Sequence, residues 1–414
     1  MNNIELAILL LSLSALVYFL AGRRAKAIQV QSHGDQVVKS APVYYAWHTA
    51  LWSSVPPMII LVGWFLWGDY LPTTVKEAIE TGPFPVLMTL CIAVLILGTM
   101  WGWQCINNRH NTRKAVEKML IWLLISASTI AILTTIGIVL SVLFESIKFF
   151  NLVPISEFFS LHWSPQTAIR EDQVGASGAF GAIPLFAGTL LITVVAMSLA
   201  LPIGLMSAIF LAEYASSHIR NFINPLLEIL AGIPTVVYGF IAVLWLSPFI
   251  KNTAETFGLQ ASSESALAAG LAMGIMLIPF ICSFTDDALH AVPKALRDSS
   301  YALGATHSET ITKVVLPAAI PGIMGGILLA VSRAIGETMI VVMAAGMSAK
   351  LTGNPLDSTT TVTVQIVALL IGDHEFDSAK TLAAFALGLT LFLSTLMLNV
   401  VALKILKTYR EQYE

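Results

Sequence analysis

The chain has 414 residues, of which 56% are hydrophobic and only 11% are charged. Soluble domains carry about 25% charged residues, so this composition excludes an ordinary soluble protein and indicates an all-α polytopic membrane protein. The net charge of -3 excludes no class of partner, and the three scattered cysteines predict neither a disulfide framework nor a metal site. We expect no catalytic residue, no cofactor and no nucleic-acid partner.

Nine stretches are apolar and long enough to cross the hydrocarbon core, which takes about 20 residues. They cover residues 4–21, 46–67, 84–103, 119–144, 186–212, 224–249, 265–285, 317–346 and 382–403. No basic segment precedes the first stretch, whereas Arg23, Arg24 and Lys26 follow it. This order of charges predicts an uncleaved anchor with its N-terminus outside.

The positive-inside rule supports the same orientation. With the N-terminus outside, fifteen of the 22 Lys and Arg residues lie on the cytoplasmic side, six face outward, and Arg333 alone stays within the membrane. The cytoplasmic residues are Arg23, Arg24, Lys26, Lys39, Arg109, Arg113, Lys114, Lys118, Arg220, Lys294, Arg297, Lys313, Lys404, Lys407 and Arg410. The outer residues are Lys76, Lys148, Arg170, Lys251, Lys350 and Lys380. An odd number of spans places the C-terminus in the cytoplasm.

The chain divides near residue 115. Residues 1–115 hold three spans without an intramembrane charge or a chemical motif, and residues 116–414 hold six. The outer loop at about 145–185 fits a docking surface, a short interfacial helix or a solvated connector. Helix-breaking residues predict kinked or interrupted spans in the second part, as occur along translocation pathways. They are Pro202, Gly232-Ile-Pro234, Pro279, Pro317 and Pro321.

Arg333 lies inside the eighth predicted span, and Glu337 follows one helical turn later. A charged side chain near the bilayer centre costs at least about 2.5–3.5 kcal/mol, which indicates a function. The i,i+4 spacing places both on one helix face, where each partly neutralises the other. We predict that an anion passes this site, and the alternative is an ion pair that only fixes helix packing. For Glu228, the other acid in an apolar span, we expect a structural hydrogen bond.

The inner loop at 286–317 has the signals of a helix–glycine–helix element. Pro293 suits a first helical turn, and Gly304 suits a C-terminal stop with left-handed geometry. Thr306 and Glu309 form a capping box that begins the second helix. We therefore predict two short helices at the cytoplasmic surface.

Two further features describe the surface and the end of this loop. Pro317 marks the predicted turn into the next span, and Leu296, Leu303 and Ile311 form an apolar stripe. The stripe fits a surface that another protein grips, and it fits an amphipathic connector equally well.

The loop resembles the EAA loop of permeases from ATP-binding cassette (ABC) importers, whose pattern is Glu-Ala-Ala-x-x-x-Gly, nine residues, then Ile-x-Leu-Pro. This chain has Asp298-Ser-Ser-Tyr-Ala-Leu-Gly304 and, after nine residues, Val314-Val-Leu-Pro317. Asp replaces the Glu and two serines replace the alanines. In that family the loop is a coupling helix that docks into a cleft on the ATPase. The resemblance implies coupling roles for Asp298, Ser299, Ser300, Gly304, Ala305, Thr306, Glu309, Leu316 and Pro317.

The second part also resembles phosphate-importer permeases of the PstC type, in runs such as Gly232-Ile-Pro-Thr-Val-Val-Tyr-Gly239 and Ser332-Arg-Ala-Ile-Gly-Glu-Thr-Met339. The resemblance implies a six-helix permease core in a bacterial inner membrane, preceded by about three extra helices. It also implies two copies of an ATPase, a second permease of the PstA type and an extracytoplasmic phosphate-binding protein. The chain has no Gly-x4-Gly-Lys-Ser/Thr run, so ATP hydrolysis is expected of a partner.

Two other functions fit parts of the sequence. A permease for sulfate, molybdate or phosphonate would share the coupling loop and the intramembrane Arg333. An ATP-independent anion carrier or channel could use Arg333, but it has no need for a coupling loop. The role of the first three spans is open.

Overall fold

The computed structural model describes residues 3–31, 40–68, 86–106, 112–167, 177–372 and 378–410. These residues are mostly helical, so the predicted all-α class is confirmed. Within them, nine helices are long and apolar enough to cross a membrane, as predicted. Lys39, Lys76, Arg109 and Arg170, which the predicted topology uses, lie outside the described residues.

The helices are numbered here in chain order. The first five are α1 (Asn3–Gln31), α2 (Pro42–Trp67), α3 (Val86–Gln104), α4 (Thr112–Leu152) and α5 (Ile155–Phe158). Then come α6 (Ile183–Ile209), α7 (Ser217–Gly232), α8 (Thr235–Ile241), α9 (Ser247–Thr256), α10 (Ala266–His290) and α11 (Lys294–Ala302). The last are α12 (His307–Thr310), α13 (Leu316–Ile335), α14 (Met339–Ala344), α15 (Val362–Gly372) and α16 (Ala379–Arg410). Three π-helical turns extend α6, α8 and α12 at Phe210–Tyr214, Ala242–Leu246 and Ile311–Val315.

The chain forms two compact units, Met1–Ile136 and Gly137–Glu414, so their boundary falls within α4. In the first unit, α1, α2 and α3 pack around a core of leucines and a buried cysteine. Its buried members are Leu6, Leu10, Leu61, Leu87, Cys91 and Leu95. Gly102 of α3 allows close contact, since a Cβ there would lie 2.8 Å from the Cα of Thr49 in α2.

In the second unit, α6 and α10 form a central pair that packs through small residues. A Cβ on Gly274 would lie 2.9 Å from the carbonyl oxygen of Ala196, and one on Gly204 would lie 2.9 Å from the Cβ of Ile281. Small residues let helix backbones approach closely in a membrane, where van der Waals contact replaces the hydrophobic effect. Later helices of the second unit pack against this central pair.

The outer loop contains more structure than the sequence indicates. The short helix α5 matches one of the predicted alternatives, but the hairpin of β1 (Trp163–Thr167) and β2 (Ser177–Phe180) was not foreseen. Trp163 is buried and donates from Nε1 to Oε1 of Gln365 at 2.9 Å. This bond connects the hairpin to α15.

The sixth span differs from the prediction of 224–249. The structure places it at Thr235–Thr256, and α7 before it is a separate amphipathic helix without a buried residue. Ile233 is extended, with φ -66° and ψ 130°, because the residue before a proline disfavours helical geometry. The break predicted at Gly232-Ile-Pro234 is therefore confirmed, whereas the span begins later.

The other prolines do not interrupt their helices. Pro202, Pro279 and Pro321 lie inside continuous helices, and Pro317 lies in the first turn of α13. The prediction of interruption is wrong at these four positions. In a membrane, neighbouring side chains and local π-helical adjustment can satisfy the carbonyls that a proline frees.

The contact between α6 and α10 can be tested at Gly274. A Gly274→Leu substitution should lower the free energy of unfolding by about 1–3 kcal/mol, the usual cost of overpacking. The measurement is the midpoint of thermal unfolding of the detergent-purified chain. Gly137→Leu is the matched control, because Gly137 is also helical and a Cβ there meets nothing within 4 Å. Equal midpoints for the two variants would contradict the close contact.

Candidate functional site

A break separates α13 from α14 at Gly336–Thr338. Arg333 lies in the last turn of α13, and Glu337 lies in the break itself. Oε1 of Glu337 accepts hydrogen bonds from three backbone N–H groups, those of Thr338 at 3.1 Å, Met339 at 3.0 Å and Ile340 at 3.3 Å. The carboxylate thus satisfies donors that the start of a helix leaves without an intrahelical partner.

The predicted ion pair between Arg333 and Glu337 is not formed. Its premise, one continuous helix at 317–346, is wrong because α13 ends at Ile335. Gly336 ends the helix, and the Glu337 carboxylate turns to the freed backbone donors of α14. The carbonyl oxygen of Glu337 also accepts from the Thr363 hydroxyl at 2.9 Å, which ties the break to α15.

Arg333 is exposed and has neither an ion pair nor a hydrogen bond within the described part of the chain. Its guanidinium lies 5.7 Å from the centroid of the Phe280 ring on α10. Next to it, Ser332 donates to Oδ1 of Asn399 at 3.0 Å, which fixes α13 to α16. The result is a permanently charged group with all its donors available, in a helix apolar enough to cross a membrane.

Glu228 does not make the predicted structural hydrogen bond. It is exposed on α7 and has no hydrogen-bond partner in the described chain. Its side chain lines a cavity of about 320 Å³ between α7 and α10, together with Asn224, Phe280 and Ser283. This cavity could not be foreseen from local sequence signals, because its polar residues come from two separate helices.

One end of this cavity is closed by a charged cluster. Asp286, which also lines the cavity, accepts from Arg220 of α7 at 2.9 Å. Arg220 lies 3.0 Å from Nε2 of His290, one turn further along α10. The cluster fixes the amphipathic helix α7 to α10 at one point.

The helix–glycine–helix prediction for the inner loop is confirmed. Helix α11 ends before Gly304, whose φ of +82° is left-handed. Thr306 and Glu309 form the capping box that begins α12. Ser300, which stands where the family pattern has alanine, is buried and hydrogen-bonds the Thr310 hydroxyl at 2.9 Å. That bond holds the two short helices together.

The exposed face of the loop is narrower than predicted. Leu303 is 89% exposed and Leu296 is 44% exposed, but Ile311 is only 2% exposed and belongs to the interior. The predicted stripe is therefore wrong at Ile311. Asp298 and Ser299 lie on the exposed surface of α11.

Pro317 does not mark a turn. Helical structure runs from His307 through the π-helical turn and α13 to Ile335 without interruption. Pro317 follows the π-helical turn at Ile311–Val315, and a local adjustment of this kind can satisfy the carbonyl that a proline frees. The inner loop and Arg333 thus lie on one continuous helical segment.

Sequence reasoning missed the contact that fixes this loop to α6. Nη1 of Arg297 donates to both carboxylate oxygens of Glu213 at 2.7 Å, and Nη2 donates to the Leu289 carbonyl at 2.9 Å. His307 adds a bond to the carbonyl oxygen of Glu213 at 3.0 Å. The available signal was Glu213 itself, an acid at the end of a long apolar run.

Comparison with known proteins identifies the family. A family model described as "Binding-protein-dependent transport system inner membrane component" matches residues 200–407. The chain belongs to this family. A second model, described as "Phosphate ATP-binding cassette transporter", matches residues 7–82. The first match contains α7, the cavity, the inner loop and the break at Arg333.

Relatives support the same assignment. The chain is 34% identical over 244 residues to the probable ABC transporter permease protein YqgH of Bacillus subtilis, covering 59% of this chain and 75% of the relative. It is 31% identical over 296 residues to the phosphate transport system permease protein PstC of Mesorhizobium japonicum, covering 67% and 86%.

A solved structure shares the fold. A bacterial ABC transporter that imports the acidic polysaccharide alginate aligns with a TM-score of 0.51 at 16% identity, covering 72% of this chain and 99% of that one. The likeness supports an ABC-permease fold. At this identity it carries nothing about the substrate of the present chain.

The Glu213–Arg297 pair can be tested by a neutral substitution. Glu213→Gln should leave the largely buried Arg297 cation without a counter-charge and lower the free energy of unfolding by about 1.5–3 kcal/mol, the range for charged hydrogen bonds. Protease cleavage within residues 294–306 should become faster. Glu255→Gln is the control, since Glu255 is exposed and has no side-chain partner in the described chain. If both variants resist cleavage like the native chain, this pair does not hold the loop.

Proposed function

We propose that this chain is the membrane-spanning permease subunit of an ATP-driven importer of inorganic phosphate. The chain is a transport component and not an enzyme, because the family consists of the membrane components of such systems. The observation that carries the proposal is Arg333, an unpaired cation at a helix break within the permease core. A charge with no structural partner at such a position needs another explanation, and passage of an anion supplies it.

Phosphate is the substrate that the relatives favour over other oxyanions. Several relatives at about 31% identity are named phosphate transport system permease proteins. The description of the family model over residues 7–82 also names phosphate, and that stretch lies outside the core shared by importers of many substrates. Two separate parts of the chain thus support the same substrate.

The chemistry at Arg333 suits a phosphate ion. A guanidinium offers paired donors to phosphate oxygens and keeps its charge when water is removed. Glu337 acts on the same pathway indirectly, by capping α14 and holding the break open. Since the carboxylate does not neutralise Arg333, the full charge faces the anion, and release depends on rearrangement of the break.

The energy for transport comes from partner subunits. We assign an ABC ATPase in two copies, a second permease of the PstA type and an extracytoplasmic phosphate-binding protein. Asp298, Ser299, Leu303, Gly304 and Thr306 form the exposed surface that docks on the ATPase. The residues that support this surface from its inner side are Ser300, Ala305, Glu309, Leu316 and Pro317.

Movement of the docked loop reaches Arg333 along a single helical segment. His307 and Arg333 are separated by roughly 39 Å of helix at 1.5 Å per residue. Because no loop interrupts this segment, closure of the ATPase dimer displaces the break directly. Alternating access then follows from rigid-body movement around the Arg333 site.

The protein lies in the inner membrane as a multi-pass protein. We place the N-terminus outside and the C-terminus in the cytoplasm of a bacterial cell, as the distribution of Lys and Arg indicates. We assign transport to residues 116–414 and an accessory role to residues 1–115. This orientation puts the inner loop on the side where ATP is available.

Arg333→Gln should abolish or strongly reduce ATP-dependent phosphate uptake, because the neutral amide cannot balance the charge of the anion. Uptake into proteoliposomes, normalised to assembled complex, is the measurement. Arg333→Lys should retain part of the uptake, since it keeps the charge but loses the paired donors. Arg113→Gln, at an exposed ion pair outside the six-helix core, is the control. Normal uptake by Arg333→Gln would assign Arg333 a structural role.

Gly304→Val should weaken docking of the ATPase. A β-branched residue at a φ of +82° is strained, so α11 and α12 should lose their arrangement while the spans remain folded. The measurement is the amount of ATPase that co-purifies with the permease.

Gly258→Val is the matched control for this loop. Gly258 has a φ of +73° and open space around it, as Gly304 does. It differs in position, because it lies between α9 and α10 and not in the inner loop. The control should keep its ATPase. Equal recovery of ATPase with Gly304→Val and the native chain would exclude this loop as the docking element.

A further inference from the structure

A groove runs along the first unit between α1 and α2. The part near the C-terminal end of α1 is a cavity of about 280 Å³ whose lining includes Arg23, Lys26 and Gly22. The next part is an apolar cavity of about 360 Å³ whose lining includes Leu11, Ala15 and Trp47. Tyr18 and Phe19 line both, so the two cavities adjoin. One continuous groove thus leads from two cations into an apolar channel.

The cations at the end of the groove have no protein partner. Arg23 and Lys26 are both exposed and make neither an ion pair nor a hydrogen bond within the described chain. Their i,i+3 spacing places them side by side on α1. Arg24, between them in sequence, is different because its guanidinium lies over the Trp103 ring at 4.7 Å and does not line the groove. Two neighbouring cations are therefore available to one anionic group.

The distance from the cations to Leu11 matches the depth of one leaflet of a bilayer. Arg23 and Leu11 are separated by about 18 Å along α1 at 1.5 Å per residue. Half of the hydrocarbon core is about 15 Å, so a group bound at Arg23 lies at the interface when Leu11 lies near the bilayer centre. Tyr18 and Trp47 pack edge to face at 5.2 Å inside the groove, at the depth where amphipathic rings are common.

We propose that this groove binds one anionic phospholipid, with its phosphate at Arg23 and Lys26 and an acyl chain along the apolar part. The charge of the cations selects an anionic headgroup, and the apolar walls select a hydrocarbon chain. The site is independent of the proposed transport function.

The test is lipid binding to the purified full complex in nonionic detergent. Palmitoyl-oleoyl phosphatidylglycerol and the zwitterionic phosphatidylcholine with the same chains are titrated separately, and bound lipid is counted by native mass spectrometry. Phosphatidylglycerol should bind more tightly. Arg23→Gln and Lys26→Gln should each weaken its binding about fivefold, the usual effect of one basic residue near an anionic surface. Binding of phosphatidylcholine should not change.

Arg24→Gln is the matched control, because it removes the same charge from the same turn but does not touch the groove. An equal loss in this control would show that only overall charge matters and would overturn the proposal. Equal affinity of the native complex for the two lipids would overturn it as well, without any variant.

Two further measurements separate a lipid from other ligands. Ala15→Trp places a large ring in the apolar part and should reduce binding of both lipids without altering charge. Unchanged binding in this variant would contradict an acyl chain in the groove. Displacement of phosphatidylglycerol by millimolar inorganic phosphate would show that the cations bind the free ion, and the assignment to lipid would fail.

Discussion

Inside a bilayer every backbone N–H group needs a partner within the protein, and this requirement determines the arrangement around Arg333. Where α13 ends, the start of α14 presents free N–H groups, and Oε1 of Glu337 accepts three of them. The carboxylate is directed to these donors and forms no ion pair with Arg333. The guanidinium of Arg333 therefore keeps both its charge and its donors. The helix break and the unpaired guanidinium next to it thus lie within one turn of each other.

The inner loop is held together internally and is fixed to α6. Ser300 and Thr310 join its two short helices, and Arg297 joins it to Glu213 at the end of α6. Since α6 packs against α10, and α10 carries Phe280 next to Arg333, two sets of contacts connect the loop with Arg333. One is the direct helical segment through α13. The other passes through the central pair of α6 and α10.

Features set by a few adjacent residues could be predicted from the sequence. The nine apolar runs gave the number of spans, and Gly304 with the capping box of Thr306 and Glu309 gave the geometry of the inner loop. These signals are local, because each depends on hydrophobicity or on backbone geometry within one turn. The prolines predicted a break correctly at Pro234 but not at the other positions, since neighbouring helices decide whether a freed carbonyl breaks the helix.

Features set by distant residues could not be predicted in the same way. Glu213 and Arg297 are 84 positions apart, and the cavity beside Glu228 needs both α7 and α10 in place. The ion pair of Arg333 and Glu337 was a reasonable inference from spacing, but spacing cannot show that a helix ends between two residues. The hairpin around Trp163 likewise depends on Gln365, which lies far along the chain.

The arginines and lysines of this chain show why residue type alone does not assign function. Arg297 is fully paired with Glu213 and a carbonyl group, so its charge is used for structure. Among the residues that the structure describes, Arg333 and the pair of Arg23 and Lys26 have no such partners, and their surroundings decide what their charge can attract. At Arg333 the charge lies beside a helix break in the permease core, which suits a small ion in transit. At Arg23 and Lys26 an apolar groove continues from the charge, and a ligand with both an anionic group and a hydrocarbon chain complements the two together.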